Sequence, residues 1–357
     1  MTAPFADELL HWYDAHAAAL PWRASRDPYA VWVSEIMLQQ TQVETVTGYY
    51  SRFLTIYPTV AELAAAPLSA VLKLWEGLGY YSRARNLHRA AQHIVRQGNF
   101  PSSVEDLQQL PGIGRYTAGA IASIAFGQKV PVLDGNVIRV FARLLDLPED
   151  VTQNATQKQL WAQAAAWLPE TRAGDYNQAL MELGRLVCKP RTPLCTQCPL
   201  RVYCLAHARG TVAQRPVKKA KAPTPHYNVA AGIIRNAAGL LLIAQRPLEG
   251  LLGGLWEFPG GKQEDGETLA QCLRRELREE LAIEVEVGAE FVVVKHAFTH
   301  FRITLHAFEC RYRGGEPQKI GVHDWAWVRE ADLAHYSFGK ADRQVIAALR
   351  ARGNMLF

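Results

Sequence analysis

LPGIGRYTAG (Leu110 to Gly119), followed by VPVLDGNVIRV (Val130 to Val140), is the stretch that decides the architecture of the first two-thirds of this 357-residue chain. Pro111 ends one helix, and Gly112 and Gly114 make a tight hairpin whose missing side chains let another backbone or a ligand approach. The helix that begins after Gly114 points its first N–H groups outward, an arrangement that suits an anion such as a phosphate. The second stretch sets Asp134 and Asn136 just ahead of an apolar helix. An Asp there is either a helix N-cap or a carboxylate presented to a ligand, and the spacing alone leaves both open.

Outward from this core, helical spacing recurs over Ala6 to Leu20, Tyr29 to Tyr50, Val60 to Leu78, Ser82 to Gln97, Thr117 to Phe126, Gly135 to Leu147 and Gln157 to Trp167. Breaks fall at Pro21, Pro58, Pro101, Pro111 and Pro131. Residues 1–205 are therefore predicted as an all-α domain, and 206–226, basic and proline-containing, as a linker. Beyond it, β-branched and aromatic runs at Tyr227 to Ile234, Leu240 to Gln245, Glu284 to Val287, Phe291 to Ala297, Arg302 to Arg311 and Asp324 to Val328 predict strands. Helices are predicted at Thr268 to Leu281 and Lys340 to Arg350, so 227–357 reads as a mixed α/β domain. The expected fold class is multidomain, α followed by α+β.

A content of 49% hydrophobic and 20% charged residues argues against large-scale disorder and supplies material for two cores. The amino terminus has no cationic start followed by an apolar run, and no apolar stretch approaches the roughly 18–20 residues that span a bilayer. A cytosolic monomer with no membrane partner is expected. The net charge of +5 is unevenly spread: from Leu183 to Leu248 there is no Asp or Glu, while Lys189, Arg191, Arg201, Lys218, Lys219 and Lys221 fall there. Part of that run is solvated linker, but its length favours a polyanion, and nucleic acid over a membrane surface because no apolar stripe accompanies it.

Cys188, Cys195, Cys198 and Cys204 crowd into one window as C-x6-C-x2-C-x5-C, which in a cytosolic chain points to metal rather than disulfides. Four thiolates can hold tetrahedral zinc or a [4Fe–4S] cluster, and ligand count does not choose between them. Cys272 and Cys310 stand alone and read as buried small hydrophobes. Glu35 lies among Val31, Val33, Ile36, Met37 and Leu38; an acid in such surroundings has a raised pKa and keeps a proton to donate near neutrality. Taken alone, a helix Glu facing solvent is the simpler reading.

Together these motifs resemble the helix-hairpin-helix DNA glycosylase superfamily. LPWRASRDPYAVWVSEIMLQQTQVETV (Leu20 to Val46) and WEGLGYYSRARNL (Trp75 to Leu87) resemble its MutY-type adenine glycosylases, over essentially all of residues 5–205. The resemblance implies a monofunctional glycosylase that hydrolyses the N-glycosidic bond of adenine opposite 8-oxoguanine or guanine in duplex DNA, acting at the nucleoid. It implies that Glu35 protonates the base and that Asp134 stabilises the sugar cation or adds to it. Asn136 and Glu182 match polar residues that orient water and the first carboxylate, Glu35. Trp22, Arg23 and Leu38 match the adenine pocket, Gln40 and Tyr80 the residues that wedge into the duplex, and Gly112 and Gly114 the hairpin on its backbone. The cysteine loop, 188–204, matches the family's [4Fe–4S] loop rather than a zinc site. Tyr116 stands where the related lyases carry an amine nucleophile, so strand cleavage is not expected. Each of these residues also has an ordinary structural role available to it.

In the second domain, Trp256 to Val285 fits a Nudix box: Gly261, five residues, Glu267, seven residues, then Arg275 to Glu280. Glu276, Glu279 and Glu280 share one helix face at i, i+3 and i+4 and are candidate Mg²⁺ ligands on a pyrophosphate. Ala282 stands where the box normally has Gly. HAFTHFRITL (His296 to Leu305) resembles a lesion-reading loop of the family, with Phe298, Thr299 and His300 as its 8-oxoguanine contacts. Two expectations follow: a DNA-lesion reader with a relic box, or an additional Mg-dependent hydrolase of oxidised nucleoside triphosphates.

Overall fold

The computed structural model describes residues 3–219 and 223–354. It opens with six helices: α1 (Ala6–His16), α2 (Pro28–Leu38), α3 (Val43–Ile56), α4 (Val60–Ala65), α5 (Leu68–Trp75) and α6 (Ser82–Gln97). Then come α7 (Val104–Gln109), α8 (Arg115–Ile124), α9 (Gly135–Leu144), α10 (Asn154–Trp167), α11 (Ala173–Leu186) and α12 (Leu205–Ala208). Contacts divide the chain into two compact units: Met1–Ala65 with Asn86–Lys221, and Ala66–Arg85 with Ala222–Phe357.

The predicted helix over Tyr29 to Tyr50 is two helices, α2 and α3, broken where Gln40 takes φ 56°. Val60 to Leu78 also splits, at Pro67, into α4 and α5. Three helices, α7, α11 and the short α12, have no counterpart among the predicted elements.

The first unit is helical around a core that includes Leu9, Val137, Phe141, Leu160, Tyr176 and Leu183. α2 is capped by Asp27, whose carboxylate accepts from Tyr29 N and Ala30 N, with Pro28 pre-set at its first turn. It is buried on every side from Tyr29 to Met37, so it has no solvent face on which Glu35 could sit. The stretch expected as linker is docked to this unit as far as residue 219. Arg209 and Thr211 donate to the Asp146 carboxylate, Arg215 pairs with it as an ion, and Val217 O accepts from Val151 N.

The second unit is built on a seven-stranded sheet: β1 (His226–Arg235), β2 (Leu241–Gln245), β3 (Trp256–Glu257), β4 (Gly260–Lys262), β5 (Glu284–Ala297), β6 (Arg302–Gly314) and β7 (Asp324–Val328). The main order is β3-β2-β1-β6-β5; β4 pairs β1, β7 pairs β2, and of these strand pairs β1–β6 is parallel and the others antiparallel. Alternation along β1 sends Ala230 and Ile234 toward α13 (Leu269–Leu281), and Ala231 and Ile233 toward α14 (Lys340–Asn354). Two runs expected as separate strands, Glu284 to Val287 and Phe291 to Ala297, are one strand, β5, interrupted by register shifts. Ala282 caps α13 with φ 55°, the left-handed conformation that a Gly would adopt without strain.

Candidate active site

A cavity of about 940 Å³ opens in the first unit. Its wall includes Trp22, Arg23, Glu35, Leu38, Gln40 and Gly114, and, across from α2, Tyr116, Asp134, Asn136 and Glu182. The sequence placed these residues on five separate segments; α2, α8, α9, α11 and the turn at Pro21–Arg23 bring them together.

Glu35 sits on the inner side of α2 and is 5% exposed. Burial pushes its carboxyl up to about 7, with the charge of Asp134 adding to the rise and the Tyr116 hydrogen bond and Arg23 opposing it. The Tyr116 hydroxyl donates to Glu35 Oε2 at 2.8 Å and has Met181 Sδ at 3.1 Å. Here is an acid half-protonated near neutrality beside a large cavity, which is what a proton donor requires.

Asp134 is the N-cap of α9: Oδ1 accepts from Asn136 N (2.9 Å) and Val137 N (2.7 Å), and Oδ2 from the Asn136 amide (2.8 Å). Capping and presentation are therefore not alternatives, because the same carboxylate does the first while lining the cavity. Burial raises its pKa above the usual carboxylate value, and these N–H groups together with Arg139 offset the rise only in part. Arg139 also fastens the loop, donating to Asn136 Oδ1 (2.8 Å), Gly184 O (2.8 Å) and Cys188 O (2.7 Å). Gly184 leaves the space that Asn136 occupies: a Cβ there would lie 2.6 Å from Asn136 Cβ.

Glu182 is 2% exposed and accepts from Ala18 N, Arg23 and Arg185. Burial by itself would raise its pKa; the two guanidiniums overcome this and hold it at about 2. It is a fixed anion that pins Arg23 to the cavity wall.

The hairpin glycines divide their work. Gly112 has φ 79°, and a Cβ on it would strike Asn86 at 2.7 Å, so it is required by the fold. Gly114 caps α8 and would meet nothing within 4 Å, leaving the helix N-terminus open to an incoming group. Gln40 and Tyr80 both hold left-handed backbone, φ 56° and 48°, which costs a non-glycine residue about 1–3 kcal/mol. Tyr80 belongs to the second unit, where its hydroxyl is 3.0 Å from Thr299 Oγ1. Phe298 stacks on Phe301 and meets His296 edge-on, and His300 is exposed beside Thr299.

All four clustered cysteines are half-buried and free of disulfides, and they line one small cavity beneath Arg143 and Val187. Arg143 donates to Cys188 Sγ at 3.2 Å. This donor set, four thiols around one space with a cation beside them, fits a cluster of iron and sulfide. Cys272 and Cys310 are buried in the second unit.

On α13, Arg275 bonds Glu267 (2.6 Å), Glu276 (3.0 Å) and Glu279 (3.1 Å). Glu276 packs against the bare backbone of Gly261. Among the described residues no three His, Cys, Asp or Glu side chains are gathered as ligands of one ion. Burial pushes Glu280 up to about 7, helped by Glu257 and Glu276.

Several residues escaped the sequence reading. Arg139 lies three residues after Asn136 on the same helix face, a spacing that signals contact once Asn136 is suspected. Glu257, paired with Arg246 at 2.6 Å, and Asp342, pushed up to about 7 by burial, join Glu280 in a buried acidic cluster. Nothing local marks Asp342, since its partner is Phe258 N.

Comparison with known proteins agrees with both units. A family model described as the HhH-GPD superfamily base excision DNA repair protein matches residues 33–165, and a NUDIX domain model matches residues 230–348. The adenine DNA glycosylase of Rattus norvegicus is 37% identical over 96% of this chain and 77% of its own length. That of Homo sapiens is 39% identical over 96% and 73%. A solved thermostable thymine-DNA glycosylase superposes with a TM-score of 0.53 at 29% identity, covering 57% of this chain and 95% of that one. No helix among the described residues is long and apolar enough to cross a membrane. With a buried acid and a capping aspartate on one cavity, and relatives of this kind along nearly its whole length, the chain belongs to the adenine DNA glycosylase family of base-excision hydrolases.

Proposed function

We propose that the chain removes adenine mispaired with 8-oxoguanine or guanine in duplex DNA, and does so without cutting the strand. The observation that carries this reading is Glu35, an acid with a pKa of about 7 facing a cavity large enough for a flipped base. Glu35 donates its proton to the departing adenine, and Tyr116 holds the carboxyl in one orientation. As the glycosidic bond breaks, positive charge grows on the sugar, and Asp134 supplies the opposing charge. Asn136 and Arg139 keep Asp134 in place, and Arg23, fixed by Glu182, forms the wall against which the base rests with Trp22 and Leu38. The strained Gln40 and Tyr80 enter the duplex, the hairpin at Gly112 and Gly114 binds phosphate, and Phe298, Thr299 and His300 read the 8-oxoguanine. Base release from duplexes holding A opposite 8-oxoguanine, G or T tests this; no adenine from any of them overturns it.

The four cysteines would hold a [4Fe–4S] cluster, which when bound cross-links the 188–204 loop and takes no part in hydrolysis. Functionally the chain divides into a glycosylase part (1–205), a basic connecting stretch (206–226) docked on it as far as residue 219, and a lesion-reading part (227–357), working as a monomer on chromosomal DNA in the cytoplasm. A second reading for the Nudix-like half, Mg-dependent hydrolysis of oxidised nucleoside triphosphates, is favoured by the nearly complete box and by Glu276 resting on Gly261. Pyrophosphate release from 8-oxo-dGTP by the full chain, lost in Glu279→Gln, would support it; none from the unaltered chain would end it.

A further inference from the structure

Residues 66–85 lie far in sequence from the rest of the second unit, yet they bind its 250–253 and 336–338 segments through side chain to backbone contacts. Glu76 Oε1 accepts from Phe338 N at 2.9 Å, and Glu76 Oε2 accepts from Lys73 Nζ at 2.8 Å. The same ammonium donates to Tyr336 O at 2.9 Å. This is a closed ring: two opposite charges, joined to each other, each bonded to one backbone group of a three-residue segment. Such charge-assisted bonds are stronger than neutral ones. On the far side of the turn Arg85 donates to Gly253 O (2.7 Å) and Gly250 O (3.0 Å).

The segment they grip is itself immobilised. Phe338 is 1% exposed and stacks on Phe258, Tyr336 meets Trp256 edge-on at 4.8 Å, and Ser337 O accepts from Trp256 N. Between the two grips runs a turn with three positive φ angles, at Gly77, Gly79 and Tyr80. The Trp75 indole and Arg83 both donate to Gly79 O, and the Tyr81 hydroxyl accepts from Gly77 N. At its end the exposed Tyr80 hydroxyl meets Thr299. A hydrogen bond between two exposed hydroxyls contributes little unless both backbones are already held in place.

We propose that Glu76, together with Lys73, is a positioning residue for discrimination of the base opposite adenine. It docks the Gly77–Tyr81 turn on the Tyr336–Phe338 segment, so that Tyr80 and Thr299 meet the opposite strand as one preformed surface. The proposal rests on the reading of Tyr80 and Thr299 as lesion contacts. In this proposal Glu76 acts through Lys73 and Phe338 and is not a catalytic residue.

The test uses the full-length protein with Glu76→Ala, Glu76→Gln, Tyr80→Phe and the Glu76→Ala/Tyr80→Phe pair. Two quantities are read: the ratio of affinities for 8-oxoguanine·A and G·A duplexes, and hydrogen exchange at the Phe338 amide. Glu76→Ala is expected to cut the ratio about tenfold, equivalent to ~1.4 kcal/mol, and to deprotect Phe338. Single-turnover cleavage at saturating enzyme should stay within about twofold, since Glu35 is untouched. Glu76→Gln, which keeps an acceptor for Phe338 N, should recover most of the ratio. In the Tyr80→Phe background the Ala change should add nothing further. Unchanged Phe338 protection, or an equal fall in the ratio without the Tyr80 hydroxyl, overturns the proposal. Absence of discrimination in the unaltered protein would overturn the lesion reading itself. Intact discrimination that ignores Glu76→Ala would overturn only the role of Glu76.

Discussion

Replacing Tyr116 by Phe should move the alkaline limb of the reaction to higher pH. The Tyr116 hydroxyl donates to Glu35 and so favours the carboxylate over the acid; it is the largest influence lowering a pKa that burial has raised to about 7. A hydrogen bond to an ionised partner contributes about 1.5–3 kcal/mol. At ~1.36 kcal/mol per pH unit, losing it shifts the Glu35 pKa upward by about one to two units. The working form of Glu35 is the acid. Single-turnover adenine release in the unaltered enzyme should therefore be flat below about 7 and fall about tenfold per unit above it. In Tyr116→Phe the downturn should appear at about pH 8–9, with a lower plateau if the carboxyl is less well oriented. The assay is adenine release from an 8-oxoguanine·A duplex with enzyme in excess, across the full range and at constant ionic strength. A downturn that stays where it was, or moves to lower pH, refutes the assignment of Glu35 as a buried donor restrained by Tyr116.

The same raised pKa carries a stability consequence: Glu35 contributes stability fully present below its unfolded value near 4.5 and lost as pH rises through about 7. Glu35→Gln should thus abolish adenine release while strengthening hydrogen-exchange protection in α2 at pH 8 but not at pH 4, by up to about 3 kcal/mol. Borohydride should trap no covalent adduct with DNA, because Tyr116 offers no amine; a strong adduct would sink the monofunctional reading. Glu182→Ala strands Arg23 and Arg185 and should destabilise the first unit by about 3–5 kcal/mol, read by denaturant unfolding, whereas a change under 1 kcal/mol would show the ion triad to be dispensable. Ala282→Gly should stabilise the second unit by about 0.5–1 kcal/mol by relieving left-handed backbone at the end of α13; a loss would refute the strain.

Much of the site was legible because its signals are local. Pro111, Gly112 and Gly114 announce a hairpin, the four cysteines announce their loop by spacing, and Glu35 is conspicuous in an apolar run. The break between α2 and α3 was not legible, since Gln39 to Gln42 contains neither Gly nor Pro and the turn is carried by a glutamine in left-handed conformation. α11 escaped because Asp175, Asn177 and Glu182 interrupt its apolar spacing; two of these polar residues are buried, Asn177 by bonding Ser123 and Glu182 by ion pairing. The acidic cluster of Glu257, Glu280 and Asp342 escaped for another reason: nearness of residues this far apart is a property of the folded sheet. The same holds for residues 66–85, which read as part of the helical domain and group with the second unit.

That displaced segment bears on how the protein is made. The bond between Glu76 and Phe338 joins residues 262 apart, and that between Tyr80 and Thr299 residues 219 apart. On a ribosome adding about 5–20 residues each second, Lys73 and Glu76 must wait tens of seconds for the Tyr336–Phe338 segment they bond. Val71, Leu72 and Trp75, buried in the finished protein, belong to this late-completed unit. Such a wait is a natural point of chaperone engagement. It also means that a nascent chain truncated before Tyr336 would emerge without the backbone partners of Lys73 and Glu76, even if its glycosylase cavity were complete.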